Sequence, residues 1–79
     1  MTLSTEEIAE INLLAQFNLS NTHEGLKIHQ QSAAPDVVAA AERLYQRGLI
    51  TMDDGGYLTS LGLDAAEHAQ NLLTILRTR

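Results

Sequence analysis

The chain has no cysteine and no tryptophan, one proline, one phenylalanine and two tyrosines among 79 residues. Without cysteine, no disulfide and no thiolate metal site can form. Three aromatics leave little material for a lined substrate pocket. No apolar run approaches the ~20 residues that cross a membrane as a helix. The start, Met1-Thr2-Leu3-Ser4-Thr5-Glu6-Glu7, has neither a basic n-region nor an apolar h-region. No signal peptide is expected, and a cytoplasmic location is. Cations are also few: five Lys and Arg stand against ten Asp and Glu, a net charge of −5. Nucleic-acid binders usually carry a basic footprint, because Lys and Arg neutralise phosphates. The acidity is uneven, however. Residues 1–22 sum to −3, residues 23–52 to zero and residues 53–79 to −2.

What remains is the composition of a globular domain, 44% apolar and 19% charged, and the length allows one domain over residues 1–79. A chain this small buries only ~60% of its unfolded surface. The core is thin, and oligomerisation is the common support still open to it.

Local signals place the elements. Ser4 and Glu7 form an S-x-x-E capping box, with Leu3 and Ile8 at the staple positions. The helix they start carries Ile8, Ile11, Leu14 and Ala15 as one stripe, widened by Leu13 and Phe17, and should end near Phe17 or Asn18. Residues 20–34 have two readings. Leu26 and Ile28 alternate with Lys27 and His29, as in a short half-buried strand. Alternatively, Thr22–Gln31 is a short helix capped by Asn21 and Glu24. Pro35 then opens a helix over 35–47 whose face is Val37, Val38, Ala41, Leu44 and Tyr45, stopped by Gly48. A hairpin over 49–59 turns at Asp53-Asp54-Gly55-Gly56. Thr59 caps a final helix over 60–77, with Arg77 and Arg79 complementing its C-terminal dipole. The fold class is α+β.

In that last helix, Leu61, Ala65, Ala69, Leu72 and Leu76 make one continuous seam. Leu63, Ala66 and Leu73 make an adjacent stripe, and Ile75 falls outside both. One stripe suffices to close the core. The second is extra core or a dimer surface, and a homodimer is expected, with Ala69, Leu72, Leu73 and Leu76 as its candidate seam.

Helix, hairpin and closing helix form the C-terminal half of a winged helix. Arg43-Leu44-Tyr45-Gln46-Arg47-Gly48-Leu49-Ile50, followed by Gly55-Gly56-Tyr57-Leu58-Thr59-Ser60-Leu61-Gly62, resembles the L-x-x-x-G-L-I … L-T-x-x-G pattern of winged-helix regulators of the MarR and PadR kind. The full string, with E-G-L-K-I-H, D-G-G-Y-L-T-S-L-G and A-E-H-A-Q, resembles more closely a family of uncharacterised bacterial proteins of about this length. Members of that family have been labelled DNA-binding or related to a DNA-binding inhibitor. The resemblance implies a winged-helix-like domain. The chain departs from the regulators in lacking long flanking dimerisation helices and in carrying Asp53-Asp54 where a DNA-contacting wing carries Arg or Lys.

Lys27, Arg43, Gln46 and Arg47 are the candidate nucleic-acid contacts, through base and phosphate readout from helix 35–47. The plainer reading makes Arg43, Gln46 and Arg47 a solvated helix face, shared with Asp36 and Glu42. His23 and His29 match no common metal-ligand spacing on a helix, and His68 reads as an exposed helix residue. No G-x-S-x-G, H-E-x-x-H or phosphate-cradling glycine loop occurs. No catalytic, metal or cofactor site is expected, and the chain reads as non-enzymatic. Two function classes stay open: a protein-interaction or regulatory module, and a DNA-binding transcriptional regulator reading through helix 35–47.

Overall fold

Ser4 opens the first helix by closing its capping box. In the computed structural model, which describes residues 2–21 and 23–78, Ser4 Oγ accepts from the Glu7 amide at 3.0 Å. The Glu7 carboxylate accepts from the Ser4 amide at 2.9 Å. The elements follow as α1 (Thr5–Leu14), β1 (Leu26–Lys27), α2 (Pro35–Gln46), β2 (Ile50–Met52), β3 (Gly55–Leu58) and α3 (Ser60–Arg77). Three helices pack with a three-stranded antiparallel sheet of order β1-β3-β2, an α+β arrangement. Among the described residues no helix is long and apolar enough to cross a membrane.

α1 ends at Leu14, short of the expected Phe17 or Asn18. The Gln16 and Phe17 amides reach back three residues, to the Leu13 and Leu14 carbonyls, so the chain tightens into a final non-α turn. The inward face is also rotated from the expected stripe. Leu13, Leu14 and Phe17 are buried together with Glu10, whereas Ile8 is exposed. Positions 10, 13, 14 and 17 are the i, i+3, i+4, i+7 face, and it is this face that α2 and α3 cover.

The strand alternative for residues 20–34 is the one that forms. Leu26 pairs with Gly56 and Lys27 with Gly55. The helix alternative over 22–31 does not form, and its first residue, Thr22, lies outside the described residues. The free edge of β3 satisfies the backbone of Leu26 and Lys27, and the chain then turns at His29, whose carbonyl accepts from the Ser32 and Ala33 amides. Gly55 makes the pairing feasible. Its φ of 123° suits glycine, and a Cβ there would collide with the Leu26 carbonyl.

α2 starts at Pro35 and stops at Gly48, which takes φ 78°. Ala40, Ala41 and Leu44 are buried and Val37 and Val38 half-buried. Tyr45, expected on this face, is exposed. It sits ~100° round the helix from Leu44, and the small Ala40 occupies the contact side instead. β2 and β3 pair Ile50 with Leu58 and Met52 with Gly55, so β3 carries one extra residue, a bulge beside the Asp53-Asp54 turn.

Thr59 joins the two ends of this unit. Its Oγ1 accepts from the Gly62 amide at 3.1 Å, capping α3, and donates to the Gly48 carbonyl at 2.6 Å. Its own amide donates to the Leu49 carbonyl at 3.0 Å. α3 therefore begins pressed against the Gly48-Leu49 link that follows α2. Gly62 permits that approach, because a Cβ there would overlap the Leu49 carbonyl.

Of the two apolar stripes of α3, the second turns inward. Gly62, Ala66 and Ala69 are buried, and Leu63 and Leu73 are half-buried. The seam of Leu61, Ala65, Ala69, Leu72 and Leu76 lies along the flank: Ala69 touches the core at its border, and Leu61, Leu72 and Leu76 are exposed. The Gln70 amide donates to the carbonyls of Leu14 at 3.3 Å and Phe17 at 2.8 Å. Beyond that tie α3 runs two further turns with Leu73 alone half-buried. Arg77 lies in the last turn as expected, and Arg79 lies outside the described residues.

Candidate functional site

The side chains singled out on α2 meet a carboxylate from α1. Arg43 lies in the last turn of α2 and Arg47 one turn on, at its C-cap, and Glu6 and Glu10 are one turn apart on α1. Crossing the helices brings the four together. Arg43 Nε donates to Glu10 Oε2 at 2.7 Å, and Arg47 Nη1 donates to Glu10 Oε1 at 2.8 Å. Arg43 Nη1 also lies 3.5 Å from Glu6 Oε2, and its Nη2 donates to the Glu6 carbonyl at 3.4 Å.

Glu10 is 8% exposed, the one buried charged residue among those described. A buried carboxylate is tolerable only when paired and hydrogen-bonded, and here each oxygen has a guanidinium. The Arg43 side chain is 23% exposed and that of Arg47 60%. Arg43 is thus held within the helix pair, and Arg47 reaches in from its rim. Gln46 is exposed.

The fourth candidate, Lys27, stands apart on β1. Its ammonium pairs with Asp54 in the hairpin turn. That contact holds the Asp54 carboxyl below the usual carboxylate range. Asp54 Oδ1 is buried without a hydrogen-bond partner. Lys27, Ile28, His29, Gln30, Gln31 and Asp54 line an open depression of about 250 Å³. A second, of about 220 Å³, lies between the starts of α1 and α2, against Thr5, Glu6, Ala9, Asp36 and Arg43. Among the described residues no group of three or more His, Asp or Glu could hold a metal ion. His23, His29 and His68 are all exposed.

The three candidate cations therefore divide into an Arg43–Arg47 pair bound to Glu10 and a separate Lys27–Asp54 pair. Of the candidate seam, Leu72 and Leu76 are on the surface, Ala69 is buried and Leu73 half-buried. The residue that sequence reasoning missed is Glu10. Its signal was present: it stands three, four and seven residues before Leu13, Leu14 and Phe17, at the head of the inward stripe, where a carboxylate calls for a partner.

These features define a small α+β domain whose first two helices are clasped by a buried carboxylate and whose last helix carries a bare apolar flank. The chain belongs to the family of unknown function DUF5669, whose model matches residues 1–77. No curated protein and no solved structure matches it.

Proposed function

We propose that the chain is a non-enzymatic protein-interaction module on a reduced winged-helix plan, docking through the flank of α3 and forming a homodimer. One observation carries this reading. Leu61, Leu72, Ile75 and Leu76 are 57, 52, 70 and 68% exposed along one side of a single helix. Leu72, Ile75 and Leu76 cluster within five residues, and clustered exposed apolar side chains on a small domain support an interaction site. The sheet order β1-β3-β2, with α2 leading into the hairpin, supports the winged-helix plan.

The DNA-reading alternative draws on that same plan, because in a winged helix the helix before the hairpin is the one that reads DNA. Its charges argue for the interaction module instead. Arg43, Arg47 and Lys27 already neutralise carboxylates of their own chain, so phosphate contact would have to displace each of them. Sedimentation equilibrium at tens to hundreds of micromolar tests the proposal. Wild type should show a reversible monomer–dimer equilibrium, and Leu72→Glu should be monomeric with its fold intact. A single 8.6 kDa species at every concentration would refute self-docking.

A further inference from the structure

Asp54-Gly55 is the one Asp-Gly step in the chain, and no Asn-Gly step occurs. Asp36, Asp53 and Asp64 precede Val37, Asp54 and Ala65, whose side chains hinder the following amide from reaching the carboxyl carbon. Glycine leaves the Gly55 nitrogen open to Asp54. The fold holds glycine at this position. Its φ is 123°, and a Cβ there would collide with the Leu26 carbonyl.

The reaction open to such a step needs no partner. The Gly55 nitrogen bonds to Asp54 Cγ, closing a five-membered succinimide. The carboxyl hydroxyl leaves and takes the amide proton with it, as water. A water then adds to one of the two imide carbonyls. Addition at the main-chain carbonyl breaks its bond to the Gly55 nitrogen. The chain then runs through Cβ and Cγ, an isoaspartate. One water leaves, one enters, and nothing is oxidised or reduced.

The reacting species is the neutral carboxyl, because a carboxylate has no hydroxyl to lose. Here the structure opposes it. Among the described residues, the one side chain that hydrogen-bonds Asp54 is Lys27, whose ammonium holds Oδ2. Oδ1 is buried without a partner, and the side chain is 18% exposed. The ionised form therefore depends on Lys27. Its contact lowers the Asp54 pKa, burial works against it, and His29 adds a smaller lowering. The main chain is pinned as well. The Asp54 carbonyl accepts from the Ile28 amide at 2.7 Å, and Gly55 pairs with Lys27 in the ladder.

We infer that Asp54-Gly55 is this chain's site of spontaneous isomerisation, that Lys27 guards it, and that the isomerised chain loses β1. An isoaspartate adds a methylene to the main chain inside the hairpin. It also turns the carbonyl that serves Ile28 into a free carboxylate off the chain path. β1 is two residues long, so it has no second register in which to stay paired. Residues 23–34 then lose their tie to the sheet. None of this depends on what the flank of α3 binds.

Ageing the purified protein at 37 °C and pH 7.4 tests the inference, with peptide mass spectrometry resolving isoaspartate from aspartate. Isoaspartate should appear at position 54, more slowly in the folded protein than in the same chain unfolded in urea. Lys27→Ala should speed the folded reaction about two- to fivefold, the range that an exposed ion pair supports, and Lys27→Arg should not. Salt at 1 M screens the pair without a substitution. It should speed folded wild type and not the unfolded chain, which decides the point should Lys27→Ala not fold. Hydrogen exchange on the aged fraction should find the Ile28 amide unprotected. No isoaspartate at position 54 in the unfolded chain would overturn the site. Equal folded and unfolded rates, or no response to Lys27→Ala and to salt, would overturn the guard. A protected Ile28 amide in the isomerised fraction would overturn the loss of β1.

Discussion

Glu10 of α1 and Arg43 of α2 are joined by a 2.7 Å hydrogen bond from Nε to Oε2, and the same carboxylate takes Arg47 through its other oxygen. One buried acid thus sets the crossing of two helices and engages the two cations that a reading helix would turn outward. A binding role for α2 would compete with this packing role for the same side chains.

Glu10→Ala should lower stability by about 1.5–3 kcal/mol, the range for hydrogen bonds to charged groups. The full 3–5 kcal/mol of a broken buried pair is not expected, because Arg47 is largely solvated and can rehydrate. Urea denaturation measures the loss. An unchanged midpoint would show that the clasp contributes nothing to the fold.

Leu44 is 2% exposed in the core cluster. Leu44→Ala should cost ~2–5 kcal/mol, as buried leucine truncations do. Less than ~1 kcal/mol in the same experiment would mean that α2 is loosely packed.

Gly62→Ala is the sharper test of the joint between α3 and the Gly48-Leu49 link. The new methyl would meet the Leu49 carbonyl, a backbone atom that cannot rotate away. Overpacking of this kind costs ~1–3 kcal/mol or more, against the gain that alanine normally brings to a helix. A thermal midpoint equal to or above that of wild type would refute the close approach.

The capping box predicts a pH effect of definite sign. Hydrogen bonds from the Ser4 backbone and side chain hold the Glu7 carboxyl below its ordinary value. A depressed folded pKa contributes stability above the ordinary glutamate pKa of ~4.3. That contribution is lost as pH falls through the depressed value. Carboxyl-carbon NMR should find Glu7 titrating below the ordinary glutamate value, and Ser4→Ala should raise it toward that value. A Glu7 midpoint at the ordinary value in the wild type would contradict the capping geometry.

Local signals were legible in the sequence because each is decided within a few residues. Ser4 with Glu7, Pro35, Gly48, the glycines after Asp54 and Thr59 all act where their residue types indicate. The faces were harder. Ile8 and Leu13 are equally apolar, and only the placement of α2 and α3 turns Leu13 inward. The two stripes of α3 are likewise indistinguishable by period, and Leu61, Leu72 and Leu76 of the first are the ones left outside. Glu10 reads in sequence only as one of three glutamates in the acidic N-terminal segment, because its partners stand 33 and 37 residues away.

Titration of a mixed-sequence duplex with the protein, followed by fluorescence anisotropy from 20 to 150 mM salt, tests most directly whether this is an interaction module or a DNA reader. Non-specific binders commonly show dissociation constants of 10⁻⁴–10⁻⁶ M at physiological salt. With Arg43 and Arg47 engaged by Glu10, wild type should show no binding below about 10⁻⁴ M at 150 mM. Sub-micromolar binding with a log–log salt slope near about −4, abolished by Arg43→Ala with Arg47→Ala, would contradict the account.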